Sequence, residues 1–395
     1  MPEHRSVHGR LREASLAIPQ AASCAFFLLL LSVAPAFAQA QAPAQKPWWE
    51  RIALNGDLRA RLESFFQEGR DDRHRHRYRL RLALSAPVHD DVTVGLRLAS
   101  GDPADIASTN QTLTGLLSRK PITIDQVYVR YRPGFLRALT LGYGKFGYPV
   151  ARTQLIWDDD VNWEGAYQQV TWTRGAGSFT LVAAQAPLVE QSRGADAYLI
   201  AWYGQAAVRL GEHRLQGSAA NYRFLRSDLL AVAVDTGGLS NPITNRVRRG
   251  ADGRVTGYVS GYNLIDLIVQ GTLATRRPDY PVTLVGDWVT NTRATGGRGT
   301  GLWMSAAYGL ATRPKQYAVA YTYARIEQDA VISTFNFSDM FPHTNVRAHI
   351  ATGSVMPLAR VNVDVTGIVT RPLEPVAGLS DGLLTRLQID LRFGF

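Results

Sequence analysis

From Trp48 onward, apolar and polar residues alternate almost without interruption. In the stretch Arg77 to Leu84, one face carries Tyr78, Leu80, Leu82 and Leu84, and the other carries Arg77, Arg79, Arg81 and Ala83. Later, Val361, Val363 and Val365 oppose Asn362, Asp364 and Thr366. A period of two marks strands with two unlike faces. The pattern predicts sixteen of them, near 52–63, 74–86, 91–100, 122–132, 137–146, 164–173, 178–186, 197–210, 212–224, 257–273, 281–290, 301–312, 315–326, 345–356, 359–370 and 384–395. It predicts no amphipathic helix longer than two turns.

The connections set the topology. Short ones rich in turn residues, such as Gly175 to Gly177, Gly211-Glu212 and Arg313-Pro314, alternate with long ones at 64–73, 101–121, 147–163, 187–196, 225–256, 291–300, 327–344 and 371–383. A transmembrane barrel segregates its loops in this way, with short periplasmic turns and long external loops. In lipid, every backbone N–H and C=O must be paired internally, and a sheet achieves that only by closing on itself. The expected fold is therefore all-β: a transmembrane antiparallel β-barrel of about sixteen strands. A barrel that wide cannot be filled by its own side chains, so its middle is expected to hold water. The last strand ends on Leu391, Phe393 and Phe395, all on the apolar face, where a girdle of aromatics meets the membrane interface. Phe393 and Phe395 are read as the signal recognised by the barrel-assembly machinery.

Residues 1–38 read as a secretory leader, with Arg5, Arg10 and Arg12, a short apolar core from Cys24 to Val33 and a small-x-small site at Ala36-Phe37-Ala38. Residues 39–47 read as a short Ala/Gln/Pro tether, and 48–395 as a single barrel domain. The one cysteine, Cys24, leaves with the leader, so the exported chain depends on no disulfide. The formal charge of +10 does not point to nucleic acid, because the basic residues alternate along strands instead of clustering in a run. The expected partners are outer-membrane lipid, the assembly machinery and small solutes, and the expected location is the bacterial outer membrane.

Arginines provide the clearest candidate chemistry. Arg59 and Arg61 share a face of the first strand, Arg75, Arg77, Arg79 and Arg81 share a face of the second, and Arg97 joins from the third. A charge facing lipid near the midplane would cost roughly 2–4 kcal/mol, so these side chains are expected to line the pore as a basic wall. Asp158, Asp160, Asn162 and Glu164 repeat every second residue and could offer oxygens to Ca²⁺, but Trp163 stands where a calcium-binding loop would bend. His74 and His76 share a strand face without a third ligand. No metal or cofactor is expected, and no hydrolase or phosphate-binding motif is present. A barrel enzyme would need a Ser/His pair on its outer wall. No partnered serine stands out, and His349 is placed with Arg347 on the lumen side.

Several stretches resemble the bacterial putative porin family. They are Gly56-Asp57-Leu58-Arg59-Ala60-Arg61, the alternating arginines to Arg81, Val94 to Asp102, Ser108 to Thr112, Gly144-Lys145-Phe146 with Pro149, and Trp157 to Gly165. The resemblance covers about residues 52–170. It implies an outer-membrane channel and names no solute. The leading reading is a passive pore for small solutes, polar or anionic to judge from the arginines, and not an enzyme. The other readings are a polysaccharide or solute export channel, a purely structural barrel that anchors the envelope and, more remotely, an outer-membrane barrel enzyme. By analogy with other sixteen-stranded porins, the chain would form a homotrimer. In general porins the third long loop folds inward, so Asp158, Asp159 and Asp160 are expected to form a constriction opposite the basic wall.

Overall fold

The computed structural model describes residues 47–237, 242–375 and 382–395. The leader at 1–38 and the tether at 39–46 lie outside the described residues. A short 3₁₀ turn, Trp48–Arg51, precedes sixteen strands that form the wall. These are β1 (Ala53–Gln67), β2 (Arg73–His89), β3 (Val92–Ser100), β4 (Ile122–Tyr131), β5 (Leu139–Phe146), β6 (Trp163–Arg174), β7 (Gly177–Val189) and β8 (Ala197–Leu210). They continue as β9 (His213–Leu225), β10 (Tyr262–Leu273), β11 (Val282–Asn291), β12 (Thr300–Gly309), β13 (Tyr317–Ile326), β14 (Val346–Leu358), β15 (Val361–Pro372) and β16 (Leu384–Gly394). Each pairs antiparallel with its sequence neighbours, and β16 returns to pair with β1 from Asp57↔Gly394 to Gln67↔Leu384. The chain is thus a closed sixteen-stranded antiparallel barrel. The two-residue strand Gln111–Thr112 adds onto β2 from within a loop.

The wall follows the alternation. Leu54, Leu58 and Leu62 of β1 and Leu387, Ile389 and Leu391 of β16 are exposed on the outer face, as residues facing lipid must be. No helix among the described residues is long and apolar enough to cross a membrane.

The seam closes on a glycine. Gly56 N–H donates to the Phe395 carbonyl at 2.9 Å, and Phe395 N–H donates back at 3.0 Å. The Phe395 ring covers Gly56 so closely that a Cβ there would lie 2.5 Å from a ring carbon and 2.6 Å from the Arg81 carbonyl oxygen. Only glycine fits beneath the terminal aromatic.

Two features depart from the sequence reading. The loop after β9 contains a helix, α1 (Ser227–Thr236), which buries Leu230, Ala231 and Val234 on one face. Its ten residues exceed the two turns expected, because the run Leu229 to Val234 is apolar throughout and alternation cannot register it. The strand expected from 257 begins only at Tyr262; Val255–Tyr258 instead forms a loop hairpin with Val247–Arg249. The alternation there is real, but its partner is a loop.

The interior also differs. A water-filled barrel was expected to be polar inside, yet Leu199 of β8, Tyr222 and Phe224 of β9, Leu264 of β10 and Ile326 of β13 are fully buried inside the wall. Loops 147–162 and 327–345 fold onto them with Leu155, Trp157, Ile332 and Met340, so part of the barrel encloses a dry core. The arginines of the lining stand on β1–β3 and β16, while Asp266 of β10 and Asp287 of β11 are buried beside the core. Period two reports that a strand has two faces, but not what each face meets.

Replacing Gly56 with Val should overpack the seam, at a cost of about 1–3 kcal/mol. The expected outcome is a reduced fraction of heat-modifiable folded barrel on gels. Equal folding of Gly56→Val and wild type would show that the seam tolerates the side chain.

Candidate functional site

The inner face of β1, β2 and β16 carries a linked set of arginines and carboxylates. Residues directly opposite on paired strands point the same way, so the alternation stacks Asp57, Arg59, Arg61 and Glu63 beside Arg81, Arg79, Arg77 and Arg75. Without counter-charges this stack would repel itself. Arg61 forks onto Asp390 of β16 at 2.6 and 2.7 Å and reaches Asp339 at 3.0 Å. Glu63 collects Arg75, Arg386 (Nε at 2.8 Å) and Gln388 at 2.9 Å. Arg79 and Arg81 share Asp57, each at 2.7 Å. Arg77 donates to the Asn110 carbonyl at 3.1 Å, and Arg59 to its side-chain oxygen. Arg97 pairs with Asp125 and reaches Asn162 at 3.2 Å.

The structure therefore turns all six wall arginines inward and supplies carboxylates among them. Asp57, Glu63 and Asp390, with Arg386 and Arg392, lie on the inward parity of their own strands, and the same alternation could have found them. Asp339 carries no such signal, because it comes from loop 327–345. Burial would raise the pKa of its carboxyl, but the Arg386 and Arg61 guanidiniums outweigh this and hold it well below the usual carboxylate range.

Loop 147–162 crosses the interior, and its three acids part ways. Trp157 anchors it among Trp163, Phe335, Tyr222 and Tyr148, with ring centroids 5.3–5.7 Å away. Thr153 hydrogen-bonds Asp287 on β11. Asp158 is buried: its N–H donates to the Phe335 carbonyl at 2.7 Å and its carboxyl accepts Ser338 N–H at 2.7 Å. Burial, then the adjacent Asp160, pushes that carboxyl well above its ordinary pKa. Asp159 is exposed and pairs with Arg152 at 2.8 Å. Asp160 accepts from Thr109 at 3.0 Å and stands 3.5 Å from Arg81. Two of the three acids thus approach the arginine side, while the third ties two loops together.

What remains open there is a cavity of about 440 Å³ lined by Arg59, Arg79, Arg81, Arg152 and Arg392 against Asp159, Asp364 and Asp390. A second cavity of about 300 Å³, behind the crossing loop, has the opposite balance, with Asp102, Asp105, Asp125, Asp160 and Glu164 against Lys145. Burial pushes Asp105 up to about 6.

The other candidates do not assemble. Asp158, Asp160, Asn162 and Glu164 turn to Ser338, Thr109, Asp125 and Lys145 respectively, so they form no common oxygen cage. Among the described residues, no group of three or more metal-ligating side chains comes together. His349 and Arg347 face outward, not into the lumen, because Val346, Ala348 and Ile350 take the inner parity. His349 bonds the Tyr321 hydroxyl at 2.7 Å. A serine–histidine contact does exist on the outer wall, where His74 Nδ1 lies 2.8 Å from Ser64 Oγ. It sits within the β1–β2 ladder, whose backbone N–H groups are committed to strand pairing and cannot stabilise an oxyanion.

His343, buried in loop 327–345, is pushed down to about 4 by burial, against the bond it makes to the Phe337 carbonyl. A histidine depressed in the folded state contributes its full stability above about 6.5, and that contribution is lost as pH falls toward the folded value. Proteolysis within 327–345 should therefore rise between pH 7 and pH 4 in wild type, and His343→Gln should flatten the rise. Raised Asp105 acts with the opposite sign on loop 101–121, where cleavage should not rise over the same range. A pH-independent cleavage pattern in wild type would contradict this.

Residues 64–226 match the "putative porin" family. The match begins after the Gly56–Arg61 stretch and continues past residue 170, where the resemblance read from the sequence stops. No curated protein matches the chain in sequence. Among solved structures, OprB of Pseudomonas putida at high pH is similar, with a TM-score of 0.57 at 11% identity, covering 87% of this chain and 94% of that one. The trimer form of OmpT of Vibrio cholerae aligns over 87% and 99% at 10% identity and a TM-score of 0.48. A mutant of the Rhodopseudomonas blastica porin aligns over 87% and 100% at 13% identity and a TM-score of 0.45. With a closed sixteen-strand wall, a charged lumen entered by two long loops and a match to the putative porin family over residues 64–226, the chain has the fold of an outer-membrane porin barrel.

Proposed function

We propose that the channel passes small polar solutes by passive diffusion and favours anionic ones. The observation that carries this reading is the imbalance in the 440 Å³ cavity, where five guanidiniums face three carboxylates. All three of those carboxylates are engaged, Asp390 by Arg61, Asp364 by Arg392 at 2.8 Å and Asp159 by Arg152 at 2.8 Å. Charges lining a narrow water-filled passage set which ions enter, and fixed pairs orient a dipolar solute as it passes. The dry core on the opposite side supports a small solute over an exported polymer, because it takes up lumen that a chain would need. In this reading Arg59, Arg61, Arg77, Arg79, Arg81 and Arg97 form the basic wall, and Asp159 and Asp160 form the acidic side of the constriction. Phe393 and Phe395 serve as the assembly signal, and assembly as a homotrimer belongs to the same proposal.

Reversal potentials in planar bilayers under a salt gradient test it. Wild type should prefer anions, and Arg79→Gln with Arg81→Gln should lower the anion-to-cation permeability ratio by about threefold, as expected for charges acting across a few ångströms of water. A non-selective wild-type channel, or an unchanged ratio in a folded double variant, would defeat the reading.

A further inference from the structure

Three arginines stand on one rung of the outer wall. Arg325 of β13 lies directly opposite Arg347 of β14, and Arg347 lies directly opposite Arg371 of β15. Their chain neighbours fix the direction. Ala324, Ile326, Val346 and Ala348 are fully buried inside, and Thr370 bonds the Phe341 carbonyl of an inner loop, so alternation turns all three guanidiniums outward. The rung sits at the long-loop end of its strands: β13 runs into 327–345, and β15 ends at Pro372 before 373–383. That end is the external one.

Like charges directly opposite on paired strands destabilise a sheet. Only Arg325 has a carboxylate at hand, Glu327 at 2.9 Å, whose other oxygen is occupied by the Thr300 N–H. Among the described residues, neither Arg347 nor Arg371 has a carboxylate within ion-pair distance. The surface below the rung is shaped as well. Ala351 and Gly367 lie side by side, and Gly353 lies one step further down β14. A Cβ added at Gly353 or Gly367 would meet nothing within 4 Å, so this strip of the lipid face is a shallow channel flanked by Tyr321 and Leu387.

We propose that this rung binds the phosphate groups of a glycolipid of the outer leaflet, with an acyl chain lying along the small-residue strip beneath. Guanidinium forks match phosphate oxygens two at a time, and an anion lying across the rung converts three repelling charges into a bound set. The location selects the source. The rung is at the external end of the wall, at headgroup depth, and it faces the bilayer instead of the aqueous lumen.

The test uses the full chain, folded in detergent micelles doped with bisphosphorylated lipid A, dephosphorylated lipid A or phosphatidylglycerol. Native mass spectrometry then counts the lipids retained after washing. Wild type should retain the phosphorylated lipid A well above both other lipids. The variant Arg325→Gln/Arg347→Gln/Arg371→Gln should retain about a hundredfold less of it, as expected for removing three cations at a membrane surface. Unchanged heat-dependent mobility and conductance would show that the barrel is intact. The variant Arg325→Lys/Arg347→Lys/Arg371→Lys should fall between the two, keeping charge but losing the fork. Equal retention of phosphorylated and dephosphorylated lipid A by wild type overturns the proposal without any variant. So does equal retention of phosphatidylglycerol, or a variant that binds like wild type. A change in oligomeric state with lipid retention unaltered would also overturn it and mark the rung as a protein contact.

Discussion

A sheet in hydrocarbon cannot leave an edge, because each unpaired backbone group there costs several kcal/mol. The β1–β16 pairing answers that constraint, and much of the rest of the structure follows from it. Closure at sixteen strands makes a wall whose lumen is wider than its own side chains can fill. The loops must then do what strands do in a smaller barrel. Loops 147–162 and 327–345 enter the lumen and meet at the bond from Asp158 to the Phe335 carbonyl. The seam itself is finished by Phe395 over Gly56, which places the last residue of the chain in the ladder as a pairing partner.

The arginine wall depends on the loops as much as on the strands. Arg61 and Arg386 are nearly buried, and burying a guanidinium is tolerable only when carboxylates are held against it. Some of those carboxylates come from neighbouring strands through register. Asp339 comes from loop 327–345 and accepts from Arg61, Arg386 and Gln388. The same ion pairs that neutralise the wall therefore fasten the loop. Arginines around the cavity are paired as well, Arg79 and Arg81 with Asp57, Arg152 with Asp159 and Arg392 with Asp364, so the lining there is a set of fixed charge pairs.

The sequence made the wall legible to within a few residues, because alternation is dictated by lipid on one side and by something unlike lipid on the other. Sixteen strands, their order and the inward parity of Arg59 to Arg97 all follow from that contrast. Alternation could not say what the inner face would meet. Tyr222, Phe224 and Leu264 alternate with their neighbours whether they line water or a dry core, and only the distant loop residues Trp157 and Phe335 decide between the two. The same limit explains His349. It lies on a strand with small or weakly polar residues on both parities, Ala348 and Ile350 against Ala351 and Gly353, so composition gave no reliable inside. Asp339 and the α1 helix belong to loops whose shape is set by tertiary contacts, and no local period encodes them.

The uneven filling of the lumen bears on how its charges act. Interaction energy between charges scales inversely with the effective dielectric, and an apolar mass beside an aqueous passage lowers that value on one side. Field lines from Arg59, Arg79, Arg81 and Arg152 are therefore less screened than they would be in an open water-filled barrel of the same width. The aromatic cluster around Trp157 holds the acidic residues of the crossing loop at fixed distances from those arginines, so the field has a direction as well as a strength. A loop anchored only by exposed ion pairs would let salt and thermal motion average that direction away. The dry core is thus part of the electrostatic design of the passage, although none of its side chains carries a charge.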